Sequence, residues 1–319
     1  MGEPSLTSVD PFVSKGTANT FFAGIEVNYI LRFKKSINKD KIKNMNNTEA
    51  YKMDGLGNDF IIVDRRKNEI NLSKEQIIKI GNRNNIGFDQ IIFIEKELKG
   101  TFPITIYNPD GIEIGACGNG SRCIAYLISK ENNQKFINLK ADKKVLEAEI
   151  LSEKYVRINM GLPKFNGAED IPLKEGLNPR KVSIDFLEKE YGIGYCVNVG
   201  NPHIIFFVKD CEKVDIQKIG PKVENHHYFP ERVNVTFAEV SDDCKNIKVN
   251  VWERGAGQTK ACGTAACATV VAGYLNQITE KTCNVHFKEG TLEIVFDMGG
   301  GNVYMTGPVS EIKKIILKL

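Results

Sequence analysis

Apolar positions along the chain fall into short alternating runs, interrupted twice by a longer run of small and apolar residues. Ile61-Ile62-Val63, Ile91–Ile94 and the alternation Ile104-Thr105-Ile106-Tyr107 predict strands. Leu72–Ile80 has helical spacing, with Ser73 placed to cap its first turn. Gly55 and Gly57 predict a tight turn, and Asn108-Pro109-Asp110-Gly111 a second. Leu139–Ile150 and Tyr155–Met160 read as one strand each, and Gly161–Phe165 as a linker. The layout then repeats. Strands are expected around Lys181–Ile184, Gly194–Val199 and Ile204–Val208, with a Gly200-Asn201-Pro202-His203 turn before the last. Val233–Val240 and Ile247–Trp252 alternate as strands, and Pro221–Pro230 reads as an irregular polar stretch with His226 and His227 at the surface. Val303–Leu319 is expected to pair back to the first half.

The two small-residue runs predict the two long helices. Ile124–Ile128 follows Ala116-Cys117-Gly118-Asn119-Gly120-Ser121-Arg122-Cys123, and Ala265–Leu275 follows Gly255–Thr264, which contains Ala261-Cys262-Gly263. About 145 residues separate the two Ala-Cys-Gly units, enough for a domain each. The expected fold class is therefore α+β. Two pseudo-symmetric domains, each a sheet wrapped around a central helix, meet at an interface that holds the active site. Their expected bounds are 49–162, with 308–319 returning to it, and 163–307. Residues 1–48, rich in Asn and Lys toward their end, read as a polar extension outside the fold, and Met45 as a candidate native start.

Composition narrows the function classes. Of 319 residues 42% are hydrophobic and 26% charged, with a net charge of +3, the balance of an ordinary globular protein. No Lys/Arg block interleaves with aromatics, so nucleic acid is not an expected partner. No apolar run reaches the roughly 18 residues of a membrane span. Eight cysteines without a secretory h-region point to a reducing, cytoplasmic setting, and their spacing does not match zinc-site patterns. No metal and no cofactor are expected.

The chemistry lies in the duplicated cysteine. Where a glycine-rich loop becomes a helix, a thiol sits among unpaired N–H groups at the positive end of the helix dipole. Both favour the thiolate, which makes Cys117 and Cys262 candidate bases near neutrality. One thiolate and one thiol on opposite faces of a carbon can invert a stereocentre, while the adjoining N–H groups bind the substrate carboxylate. A single buried cysteine is usually only packing. The repeated context argues against that for Cys117 and Cys262, whereas Cys123 and Cys267, further into their helices, are assigned to the core.

From about Tyr51 to its C-terminus the chain resembles the diaminopimelate epimerases. The shared motifs are GLGNDF (55–60), GFDQ (87–90), NPDG (108–111), ACGNGSRC (116–123), GNPH (200–203), PERVN (230–234), ERGAGQTKACGT (253–264) and YMTGP (304–308). The resemblance implies cofactor-independent epimerisation of LL-2,6-diaminopimelate to the meso form, in lysine and peptidoglycan precursor synthesis, with Cys117 and Cys262 as the acid/base pair. Asn58, Gln90, Asn108, Asn201, Asn234 and the Glu253–Arg254 pair would bind substrate. Gly118-Asn119 and Gly263-Thr264 would hold the reacting carboxylate, and His203 and Glu253 would tune the thiols. In the LL to meso direction Cys262 is expected to accept the proton and Cys117 to donate one. The resemblance also implies a homodimer, with Tyr304 a candidate interface residue. Two positions depart from the pattern: Ala265 replaces a common glycine and Gln258 a frequent acid. The rival readings are a related two-cysteine racemase acting on a single-ended amino acid, and a binding protein or thiol sensor that has lost catalysis.

Overall fold

β-Branched and aromatic runs form strands, and the two small-residue runs form helices, in a topology written twice. The computed structural model describes residues 47–115, 117–142, 144–167 and 170–319. The extension expected over 1–48 lies, up to residue 46, outside the described residues. Glu49–Leu317 form one compact unit. The first half contains β1 (Asn47–Gly55), β2 (Asn58–Asp64), α1 (Lys74–Gly81), β3 (Gln90–Ile94), β4 (Thr101–Tyr107), β5 (Glu113–Ile114), α2 (Gly118–Asn132), β6 (Phe136–Ala141), β7 (Lys144–Ser152) and β8 (Tyr155–Gly161). The second contains α3 (Asp185–Tyr191), β9 (Gly194–Asn198), β10 (Pro202–Phe207), α4 (Ile216–Glu224), β11 (Asn234–Val240), β12 (Asn246–Glu253), β13 (Gly257–Gln258), α5 (Gly263–Leu275), β14 (Thr282–Phe287), β15 (Gly290–Phe296), β16 (Val303–Pro308) and β17 (Lys313–Lys318).

The pairing of the two halves matches strand for strand. In the first, β1 and β2 are antiparallel, β2 and β3 parallel, β3 and β4 antiparallel, β4 and β6 parallel, and β6, β7 and β8 a meander. In the second, β9, β10, β11, β12, β14, β15 and β16 follow the same sequence of senses. The halves join where β8 lies antiparallel to β16, with Ile158 opposite Met305. The chain end returns to the first half: β17 pairs with β1, and the Ser310 N–H donates to the Asp54 carbonyl at 2.9 Å.

Each long helix has no polar face toward the middle of the molecule, so each is buried along most of its length. Gly118–Ile128 of α2 and nearly all of Gly263–Gly273 of α5 are buried. One core runs through both, with Ile124, Ile128, Val270 and Val271 packed among Ile62, Ile92, Ile158, Ile294 and Met305. Each such side chain contributes about 1.5–3 kcal/mol. Met305 decides how the helices meet. A Cβ on Gly118 would lie 2.8 Å from its Cε, and one on Gly263 2.6 Å from its Sδ. Two glycines at the first position of two helices are therefore notches for one methionine.

Three expectations need correction. Leu139–Ile150 is not one strand; it is divided between β6 and β7 at Asp142, which adopts the left-handed region at φ 52°. Aspartate tolerates that region, and without a glycine there the hairpin is masked in the sequence. Lys181–Ile184 makes only one bridge, Val182 to Gly194, before Ile184 opens α3. Pro221 does not mark an irregular stretch: it lies within α4, which buries Ile216, Gly220 and Val223. Packing overrides the lost backbone bond there, because a Cβ on Gly220 would fall 2.5 Å from Trp252. Ser73 does cap α1, reciprocally with Gln76.

Candidate active site

Both cysteines are helix N-caps. Cys117 has φ −144° and ψ 107°, Cys262 φ −133° and ψ 109°, so each is extended immediately before its helix. Their carbonyls accept the first helical bonds, from Ser121 at 2.9 Å and Ala266 at 3.1 Å. The first-turn N–H groups have no partner within the helix, and only Cys117 takes one up as a side-chain cap. The Gly120 N–H reaches Cys117 Sγ at 3.5 Å. Gly120 is also required for space, since its Cβ would sit 2.5 Å from Ile92 Cδ1. Ala265 occupies the same step of α5. Its methyl is fully buried, packed with Val251 and Cys262.

Polar side chains at the ends of three neighbouring strands hold matched positions in the two halves. Around Cys117 they form an amide ladder. Asn58 Nδ2 donates to Gln90 Oε1 at 3.3 Å, Gln90 Nε2 approaches Asn108 Oδ1 at 3.5 Å, and the thiol faces Asn58 Oδ1 and Gln90 Oε1, each at 3.8 Å. Around Cys262 the matching positions are Asn201, Asn234 and Glu253. Asn234 opens β11 as Gln90 opens β3, and His203 pairs with Asn234 as Phe60 pairs with Gln90. The second set is bound differently. Cys262 donates to Glu253 Oε2 at 3.1 Å, and Thr264 Oγ1 lies 3.3 Å from the same sulfur. Asn234 spends its amide on backbone, donating to the Pro202 carbonyl at 2.8 Å and accepting the Arg254 N–H at 2.9 Å.

The charges do not follow the sequence expectation. Burial pushes the Cys117 thiol up to about 11, against the lowering effect of the Gly120 N–H, and the Glu253 carboxylate raises it further. Burial likewise lifts Cys262 well above the ordinary thiol, with Glu253 adding to the rise. Glu253 is itself raised by burial. Both thiols are thus held in the protonated form, because desolvation and a neighbouring carboxylate outweigh the helix termini. That one carboxylate acts on both sulfurs places them in one electrostatic space. His203 is fully buried and bonded through Nε2 to Asn201 Oδ1 at 2.9 Å; among the described residues it bonds neither thiol.

Arg254, half-buried, donates from Nη1 to the Glu231 carbonyl at 2.8 Å and makes no ion pair among the described residues. Gln258 takes no charge role: it bridges Gln217 and Asn250 through its amide at 2.8 and 3.0 Å. Cys123 and Cys267 are fully buried core residues. Sequence reasoning missed four supporting residues. Asp89, inside GFDQ, accepts from Asn58 Nδ2 at 2.9 Å and from the Asp59 N–H at 3.0 Å, which turns Asn58 Oδ1 toward Cys117. Glu224, almost fully buried, accepts from Trp252 Nε1 at 2.7 Å, the Gly255 N–H at 2.9 Å and Arg232 Nη1 at 3.0 Å, and so fixes the loop that carries Arg254. Met305 and Arg122 are the others. The adjacency of Asp89 to Gln90 was a readable signal; Glu224 lay in a stretch read as irregular.

A duplicated α+β scaffold with a cysteine capping the central helix of each half defines the class of two-domain racemases and epimerases. In overall fold the chain is similar to a solved structure from Pseudomonas aeruginosa described as a predicted epimerase, with a TM-score of 0.62 and 15% identity over 85% of this chain and 99% of that one. The family model for diaminopimelate epimerase matches residues 50–166 and 195–312. The diaminopimelate epimerase of Pelagibacter ubique is 50% identical over 276 residues, 85% of this chain and 99% of its own length. That of Trichodesmium erythraeum is 42% identical over 269 residues, 82% of this chain and 96% of its own. The chain belongs to the diaminopimelate epimerase family, a family of isomerases.

His203 gives the site a pH signature. Burial first, then the Arg254 charge, lowers its pKa from 6.5 to about 3. The unfolded chain therefore binds a proton near pH 6.5 that the folded protein refuses until about pH 3. Stability is full above pH 6.5 and is lost progressively as the pH falls toward 3, on the order of several kcal/mol in all. Urea unfolding of the parent and His203→Gln between pH 7 and 4 is expected to show a shallower acid decline in the variant. Parallel declines would assign the loss to other groups.

Proposed function

We propose that the chain epimerises LL-2,6-diaminopimelate to the meso isomer without a cofactor, using Cys117 and Cys262 as the two proton-transfer groups. The observation that carries this reading is the pair of N-capping thiols on matched helices whose first turns meet on Met305. The substrate α-carboxylate seats on the first-turn N–H groups, Gly118-Asn119 from one helix and Gly263-Thr264 from the other. Its α-hydrogen then faces one sulfur, and the opposite face of the same carbon the other.

The proton inventory closes without an external reagent. One sulfur, as thiolate, takes the α-hydrogen; the electron pair left on carbon spreads into the carboxylate held by the helix termini; the opposite thiol gives its proton to the carbon. At the end the protonated sulfur has changed sides, and exchange with solvent resets the pair. Burial that keeps both thiols neutral also makes the thiolate, once formed, a stronger base for a very weak carbon acid. The substrate ammonium supplies the compensating charge. Glu253 accepts from Cys262, while only amide oxygens face Cys117. The Cys262 proton passes along that bond to Glu253, whose own pKa burial raises; the neutral carboxyl no longer opposes the thiolate, so Cys262 accepts the α-proton and Cys117 donates in the LL to meso direction. Asn58, Gln90, Asn108, Asn201 and Asn234 orient the two amino-acid ends, His203 backs Asn201, and Arg254 grips the distal carboxylate. The two lobes are taken as 49–162, with 308–319 returning to it, and 163–307.

A related racemase would not need the distal grip, and a non-catalytic binder would not need both thiols. Incubating the protein with LL-diaminopimelate in deuterated water is expected to give α-deuterium incorporation and the meso isomer. Cys117→Ala and Cys262→Ala should each abolish epimerisation in both directions, and a turnover near the parent's in either variant would end the two-base reading. Arg254→Lys keeps the charge without the planar fork and is expected to reduce kcat/KM by about 2 kcal/mol, roughly thirtyfold. Equal turnover of lysine and diaminopimelate would replace the distal grip with the broader racemase reading. The same reading includes a homodimer with Tyr304, half-buried on β16, at its interface; sedimentation as a monomer at micromolar concentration would remove that element alone.

A further inference from the structure

We propose that Arg122 is a positioning residue for this reaction: its guanidinium, enclosed behind the first turn of α2, fixes the Asn119 amide across to α5 and keeps a permanent positive charge behind the carboxylate seat. The proposal rests on the two-thiol reading above. Arg122 is fully buried and is the largest of the fully buried side chains. Among the described residues its only bonds are from Nη1, to Asn119 Oδ1 at 3.0 Å and to Met305 Sδ at 3.5 Å, while Nε and Nη2 have no partner there. No carboxylate forms an ion pair with it among the described residues.

A buried arginine is ordinarily satisfied by carboxylates and carbonyls, and leaving donors unpaired in the interior is costly. Two glycines make room for this one. A Cβ on Gly55 would lie 3.3 Å from Nη2, and one on Gly307 3.3 Å from Cζ. Neither glycine adopts a left-handed backbone, so what each supplies is space. The enclosure thus accommodates a planar fork from two sides and gives its charge no counter-ion.

The geometry says where that charge acts. Asn119 Oδ1, held by Nη1, sits 3.5 Å from the Cβ position of Gly263, the first residue of α5. Because Oδ1 is committed to the arginine, the Asn119 Nδ2 donors are left for the space between the two helix termini. A purely structural side chain at this position would be better apolar, since replacing buried charges with packed hydrophobics is often neutral or stabilising. An arginine serves there if an anion arrives in front of it, and the carboxylate that gathers negative charge as the α-carbon loses its proton is such an anion.

Arg122→Met and Arg122→Lys test this, read by α-deuterium exchange into LL-diaminopimelate, by kcat and KM separately, and by thermal unfolding. Arg122→Met is expected to melt at or above the parent temperature, to lose about a hundredfold in kcat, and to change KM by less than about threefold, because the charge acts on the developing anion. Arg122→Lys, which restores charge without the fork, should recover part of that loss. Arg122→Met with kcat within about threefold of the parent would overturn the proposal. So would a lower melting temperature with normal turnover per folded molecule, the mark of a structural role. If Arg122→Met does not fold, Arg122→Lys decides: parent-like kcat overturns the proposal, and a fall in kcat at an unchanged melting temperature supports it. A parent protein that exchanges no α-proton would instead remove the two-thiol reading, and the proposal with it.

Discussion

The contact on which this structure depends is the meeting of two helix N-termini over one methionine. Gly118 and Gly263 both give way to Met305, and a methyl group on either would push the helices apart. Backbone N–H groups that elsewhere would be left to solvent are thereby aimed into a common space. An anion site built from two such termini would have no titratable part. The cysteines follow from the same contact, since each is the residue that caps one of these helices.

Duplication builds the scaffold, and chemistry requires that it be broken. Strand ends that carry Asn58, Gln90 and Asn108 in the first half carry Asn201, Asn234 and Glu253 at the matching positions of the second. An amide stands on one side where a carboxylate stands on the other, and Phe60 stands where the second half has His203. Two sulfurs in equal surroundings would have no reason to differ in protonation. Glu253 makes them unequal, because it accepts directly from Cys262 and reaches Cys117 only through its field.

Burial is the other constraint, and it opposes the helix termini. Enclosing the thiols raises their pKa values more than the N–H groups lower them, which favours the protonated form of both sulfurs. The polar groups around them are held by a supporting layer. Asp89 turns Asn58, Glu224 fixes the Arg254 loop, and Arg122 holds Asn119. Each is a charged side chain that acts through a neutral one or through backbone.

By itself the sequence determined the duplicated helices, the two catalytic candidates, and most strands, because those depend on local periodicity and on a motif that recurs. Ser73 as a cap and Cys123 and Cys267 as core were legible for the same reason: spacing alone places them. The tertiary structure decided what depends on distant partners. The hairpin at Asp142 carries no glycine, and Pro221 enters a helix because Gly220 packs on Trp252, so neither could be read locally. Thiol charge was misjudged because a helix terminus is visible in sequence, whereas the desolvation that outweighs it comes from residues brought in across both halves. Arg122 lay within a motif, but its lack of a counter-ion exists only once β1 and β16 close around it, since an unpaired charge is a property of the space around a side chain.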